Sequence, residues 1–64
     1  MQIIGDVIGP DKIYLYGKMN DNLLDLGEVE RMEDGFWYFA EPYSELPSMA
    51  IWAVAGYLYK INHS

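Results

Sequence analysis

Val29-Glu30-Arg31-Met32-Glu33-Asp34-Gly35-Phe36-Trp37-Tyr38-Phe39 is the stretch whose reading decides the fold. Two alternating segments flank Glu33-Asp34-Gly35, the clearest turn in the sequence. Gly35 can take left-handed angles after a type I turn, which predicts a three-residue hairpin closed by a bulge. In that register Val29 faces Phe39 and Arg31 faces Trp37 on one side of the ribbon, with Glu30 facing Tyr38 on the other. A two-residue Asp34-Gly35 turn would pair Glu30 with Phe39 and Met32 with Trp37. Because a one-residue slip moves every side chain to the other face, it would mix charge into the apolar side. The three-residue turn is therefore expected.

Outward toward the N-terminus, residues 23–32 read as one strand of imperfect alternation. Leu24 and Leu26 share one parity, Val29 and Arg31 the other, and a β-bulge at Gly27 would restore a single apolar face. Before it, Gly17 to Asn22 reads as a loop, residues 13–18 as a strand, Gly9-Pro10-Asp11-Lys12 as a turn and residues 2–8 as a β-branched first strand. Period two puts Ile13 and Leu15 on one face, Tyr14 and Tyr16 on the other. Beyond the hairpin, a strand at 36–40 leads through a connector to a helix over about 47–62, since Pro47 suits a first helical turn. The expected fold is α+β: a single domain, 1–64, with a small antiparallel β-meander of three to four strands and one C-terminal helix packed on a face.

The helix carries two apolar stripes. Ile51, Val54, Leu58 and Ile61 recur at 3-4-3 spacing and should lie on the sheet, forming a core with Trp37 and Phe39. Met49, Trp52, Ala53, Gly56 and Tyr59 form a second stripe on the opposite side, where a surface helix is normally polar. Tyr14, Tyr16 and Tyr38 leave the sheet's other face aromatic as well. Unpartnered apolar surface of this kind marks an interaction site, so the second stripe is the expected self-association interface.

Composition narrows the classes. The 64 residues are 52% hydrophobic with a net charge of −6, which excludes disorder. A chain this small is marginal without a staple, and the absence of cysteine leaves oligomerisation as the remaining one. Only Lys12, Lys18, Arg31 and Lys60 oppose ten acids, so neither direct nucleic-acid binding nor an anionic membrane is expected. The apolar run 46–61 is shorter than the roughly 20 residues of a membrane span, and no basic leader precedes it, so a cytoplasmic location is expected.

No constellation supports catalysis, a metal or a cofactor. His63 stands alone, and Asn20, Asp21, Asn22 and Asp25 lack the alternation and distal Glu of a calcium loop. Ser44, Ser48 and Ser64 have no basic partner, and the pairs Glu33/Asp34 and Glu28/Glu30 read as solvated charge. The acids Glu28, Glu30, Glu33, Asp34 and Glu41 form a candidate face for a basic partner. Ordinary solubilising charge accounts for them too, and a mimic of a nucleic-acid backbone is an alternative reading.

The run Leu26 to Phe39, with Asp34-Gly35-Phe36-Trp37-Tyr38-Phe39 at its end, precedes a helix closing on Leu58-Tyr59-Lys60-Ile61-Asn62. Over residues 24–62 this resembles small accessory proteins of tailed bacteriophages, many of which place a similar aspartate-glycine aromatic hairpin before a C-terminal helix. The resemblance implies a phage origin, residence in the infected bacterium's cytoplasm, and binding of a host or bacterial-defence protein to inhibit it. It carries over no functional residue. A virion structural or assembly component, and a sponge for a small signalling molecule, are the alternative expectations.

Overall fold

In the computed structural model, which describes residues 1–43 and 45–63 and Glu41 by its backbone alone, four strands and one helix follow in order. They are β1 (Gln2–Gly9), β2 (Lys12–Met19), β3 (Asn22–Arg31), β4 (Trp37–Pro42) and α1 (Ser48–Asn62). The strands form one antiparallel sheet in the order β1-β2-β3-β4, the expected α+β meander with a helix on one face.

The hairpin has the expected register: Val29 lies opposite Phe39, Glu30 opposite Tyr38 and Arg31 opposite Trp37. Gly35 sits at φ +87°, and its N–H donates to Met32 O at 2.9 Å while Met32 N–H donates to Phe36 O at 3.0 Å. The β-bulge falls where the parity of β3 breaks. Leu15 pairs with Gly27 and Tyr16 with Asp25, which leaves Leu26 as the extra residue, with Gly27 at φ +146°. Leu26 and Val29, of opposite parity, thereby both become fully buried. A second bulge lies in β4, where Ala40 is skipped between Phe39 and Glu41.

The loop expected over Gly17 to Asn22 shrinks to two residues. Asn20 takes φ +56°, the left-handed angle a tight hairpin needs, so β2 continues to Met19 and β3 begins at Asn22. Gly17 is buried within the strand opposite Ile3, and a Cβ there would stand 2.6 Å from Met1 Sδ. Its role is to admit a side chain and not to turn the chain. The first turn is held from β3: Arg31 Nε donates to Asp11 Oδ1 at 2.9 Å, Arg31 N–H donates to Asp11 O at 2.9 Å, and the guanidinium lies 5.5 Å from the Trp37 ring centre.

Ile13, Leu15, Leu26 and Val29 from the sheet and Ala50 and Val54 from the helix form the buried core. Ile3, Trp37, Phe39, Leu58 and Ile61 pack around it half-buried, as does Tyr57. The helix is rotated from the expected placement. Ala50, Val54, Tyr57 and Ile61 face the sheet, whereas Ile51 is 56% exposed and lies outside the core. Two contacts set this rotation. The Tyr57 hydroxyl occupies the space that a side chain on Gly5 would take. Asn62 brackets the Trp37 backbone, accepting from its N–H at 2.7 Å and donating to its carbonyl at 3.0 Å. Ala50, without a long side chain, lets the helix sit close at its N-terminal end.

A helix of 15 residues is about 22 Å long, close to the roughly 20 Å of the six-residue β4. The helix starts beyond the end of β4 and returns to its first residue, so the two run antiparallel and Asn62 closes the circuit. Removing one partner of a part-buried hydrogen-bonded pair costs about 1–3 kcal/mol. Asn62→Ala should therefore lower the thermal midpoint by at least several degrees, whereas the exposed Lys60→Ala should not; equal midpoints for the two variants in thermal circular dichroism would refute the anchoring role.

Candidate interaction site

Two surfaces remain open once the core is made. The first is the outer side of α1, turned away from Ala50, Val54, Tyr57 and Ile61. Trp52 is 78% exposed there, Tyr59 65% and Met49 52%, with Gly56 exposed and Ala53 half-buried beside them. A Cβ on Gly56 would meet nothing within 4 Å. Nothing within the chain therefore requires glycine at this position, although glycine in a helix interior costs about 0.5–1 kcal/mol relative to alanine. At the end of the stripe His63 stacks on Tyr59 with ring centres 4.1 Å apart. Its Nδ1 lies 2.8 Å from Tyr59 O, and since a carbonyl only accepts, that nitrogen carries the proton.

The second surface is the sheet face opposite the helix. Tyr14 stacks on Tyr16 at 5.6 Å and packs against Tyr43 at 5.8 Å. The Tyr14 hydroxyl donates to Asp25 and the Tyr43 hydroxyl donates to Glu28 Oε2 at 2.8 Å. Lys12 lies opposite Glu30, and Lys12, Glu28, Glu30 and Ala40 line a shallow depression. The hydrogen bond to Asp25, then desolvation and the negative charge of Asp25, push the Tyr14 hydroxyl up to about 12.

The five acids proposed as one partner face divide. Glu28 and Glu30 are half-buried on the open sheet face, while Glu33 and Asp34 stand exposed at the hairpin tip. Glu41 is opposite Glu28 in register, and its side chain lies outside the described residues, as do Ser44 and Ser64. Tyr38 spans the two groups: it pairs with Glu30 across the strands and its hydroxyl donates to Asp34. Asp34 also accepts from Phe36 N–H at 2.9 Å, and these two bonds hold its carboxyl below the usual range. Asp25, which the sequence reading did not place on this face, joins it through the bulge. The extra Leu26 brings odd-numbered Asp25 to the same side as even-numbered Glu28 and Glu30.

This arrangement offers recognition chemistry: tyrosine faces for flat or cationic groups, and carboxylates for donors. Among the described residues no three His, Asp or Glu side chains come together as metal ligands, and no helix is long and apolar enough to cross a membrane.

Raising a tyrosine's pKa on folding stabilises the protein below the ordinary value near 10, and that contribution disappears as pH climbs toward about 12. Asp25→Asn should accordingly bring the latest-titrating tyrosine back toward 10 in an absorbance titration at alkaline pH; an unchanged titration curve would show that Tyr14 and Asp25 are not coupled. In comparisons with known proteins, the chain matches no family model, no curated protein sequence and no solved structure.

Proposed function

We propose that this chain is a non-enzymatic interaction protein of phage accessory type, which self-associates through the outer stripe of α1 and binds a host or bacterial-defence protein to inhibit it. The observation that carries the self-association is Gly56. It lies mid-helix beside a tryptophan that is 78% exposed, with open space where its side chain would be. A mid-helix glycine next to large exposed aromatics is the pattern of a site where another backbone approaches closely. The same stripe, Met49, Trp52, Ala53, Gly56 and Tyr59, is devoid of charge, unlike the strands.

Binding of a partner is assigned to the opposite face, where Tyr14, Tyr16 and Tyr43 surround Asp25 and Glu28. Its chemistry suits a basic partner surface: carboxylates to attract it and aromatic faces to hold cationic side chains. The inhibitory role, the phage origin and the bacterial cytoplasm as its place rest on the resemblance of the hairpin and helix termini.

Gly56→Arg should fold normally, because its side chain points into open space, and should shift the light-scattering mass to that of one chain of 7.4 kDa. An oligomer mass unchanged by this substitution would remove the stripe from the interface. For the partner face, affinity capture from bacterial extract should retain one stoichiometric protein whose activity is lost on binding. Retention should weaken with rising salt and in a Glu28→Lys, Glu30→Lys variant, since attraction between charges near the surface is screened beyond about 10 Å at 0.1 M salt. Recovery of capsid or tail proteins instead would overturn inhibition in favour of a virion role.

A further inference from the structure

We propose that the second copy of this chain docks along the free edge of β1, giving a continuous eight-stranded antiparallel sheet with both helices on one side. The inference rests on the reading that the chain self-associates, and it places the contact on the β1 flank, where only Ala53 and Gly56 of the helix stripe reach it. An open meander has two edges, and a free edge is a row of unpaired N–H and carbonyl groups that natural proteins normally obstruct. The β4 edge is obstructed at three points. Asn62 takes both the N–H and the carbonyl of Trp37, Ala40 bulges out of register, and Pro42 ends the strand without an N–H to give. The β1 edge pairs in unbroken register with β2 from Gln2 to Val7, without proline or lysine; its bulge, at Ile8, falls beyond that run, and its one charge is Asp6. Two apolar side chains at its end are uncovered as well: Val7 is 75% exposed and Ile8 54%.

Charge distribution favours a second copy as the occupant. A chain of net charge −6 repels itself, yet β1 and α1 together hold a single acid, Asp6, and the other nine lie elsewhere. Pairing through this flank joins the two least acidic parts of the molecule. The helix side that overhangs β1 is equally permissive. Ala53, Gly56 and Lys60 line a recess with Met1, Gln2 and Ile3, so two helices meeting across a two-fold axis would present small residues to each other. An eight-residue strand is about 27 Å long. With a transverse dimension near 20 Å, this flank offers a projected footprint of roughly 500 Å², smaller than the ~800 Å² of accessible surface per partner in a standard interface, as suits a chain of 64 residues.

The register follows from the side chains. A two-fold axis through the sheet between paired Gly5 residues sets Ile3 opposite Val7 of the second copy, twice, on the helix side. Asp6 then faces Ile4 on the water side. An axis at Asp6 would bring two carboxylates face to face, and one at Ile4 would spend Ile3 on a glycine. Gly5 at the axis also leaves room for Tyr57 and its copy, since each hydroxyl already fills the space above that residue.

The chain has no cysteine, so the register can be tested by disulfide trapping. Directly opposite strand residues hold their Cα atoms about 4.5–5.5 Å apart, within disulfide range. A mixture of Ile3→Cys and Val7→Cys chains should give a covalent heterodimer under mild oxidation, and neither chain alone should cross-link efficiently. Val7→Lys, at a position too exposed to disturb the core, should halve the light-scattering mass while leaving the circular dichroism spectrum intact. A wild-type oligomer whose mass survives Val7→Lys, or equal cross-linking in the unmixed chains, would overturn this edge while leaving self-association standing. A wild-type protein that is a single chain at high concentration would overturn both.

Discussion

One extra residue in β3 organises this molecule. A regular strand from Asn22 to Arg31 could send either Leu26 or Val29 toward the helix, but not both, because side chains alternate. The bulge at Leu26-Gly27 resets the alternation, and both residues reach zero exposure. They make up two of the three largest fully buried side chains, with Leu15 as the third. The same reset delivers Asp25 to the opposite face beside Tyr14, so core and tyrosine cluster depend on one local insertion. Gly27 makes it possible by accepting a backbone angle of +146° that other residues rarely adopt.

Much of this was legible in the sequence because local chemistry and tertiary need agreed. Turn chemistry at Glu33-Asp34-Gly35 and apolar parity on both strands selected one hairpin register, and the broken parity of β3 pointed to Gly27. The helix boundaries followed from Pro47 and the end of the apolar run. What escaped was decided between elements. An α-helix apolar all round offers several stripes of similar quality, and the pattern alone favoured Ile51 over Ala50. The rotation was settled instead by Asn62 on the Trp37 backbone and by Tyr57 over Gly5. Gly17 carried a turn signal, yet its missing side chain serves Met1. The candidate acids fall into two places for a similar reason: Glu28 and Glu30 share the open sheet face with Asp25, while Glu33 and Asp34 stand at the hairpin tip.

The two layers use their surfaces differently. The chain exposes 4583 Å², above the roughly 4,200 Å² of a compact monomer of its mass, which fits a thin sheet covered on one side only. Charge and tyrosine occupy the uncovered sheet face, whereas apolar side chains dominate the helix back and the β1 edge, where Asp6 is the one acid. Such a division keeps the surface proposed to attract a charged partner apart from the surface proposed to join two copies, so neither contact would need to displace the other.

The two tryptophans fall on either side of that division. Trp37 is half-buried against the core, beneath the Arg31 guanidinium, with its backbone held by Asn62. Trp52 stands in water on the far side of the helix. The protein thus contains two native fluorophores with separate assignments. Emission from one follows the closing of helix onto sheet, and emission from the other follows whatever comes to cover the helix, so folding and assembly can be watched in one spectrum by silencing each indole in turn.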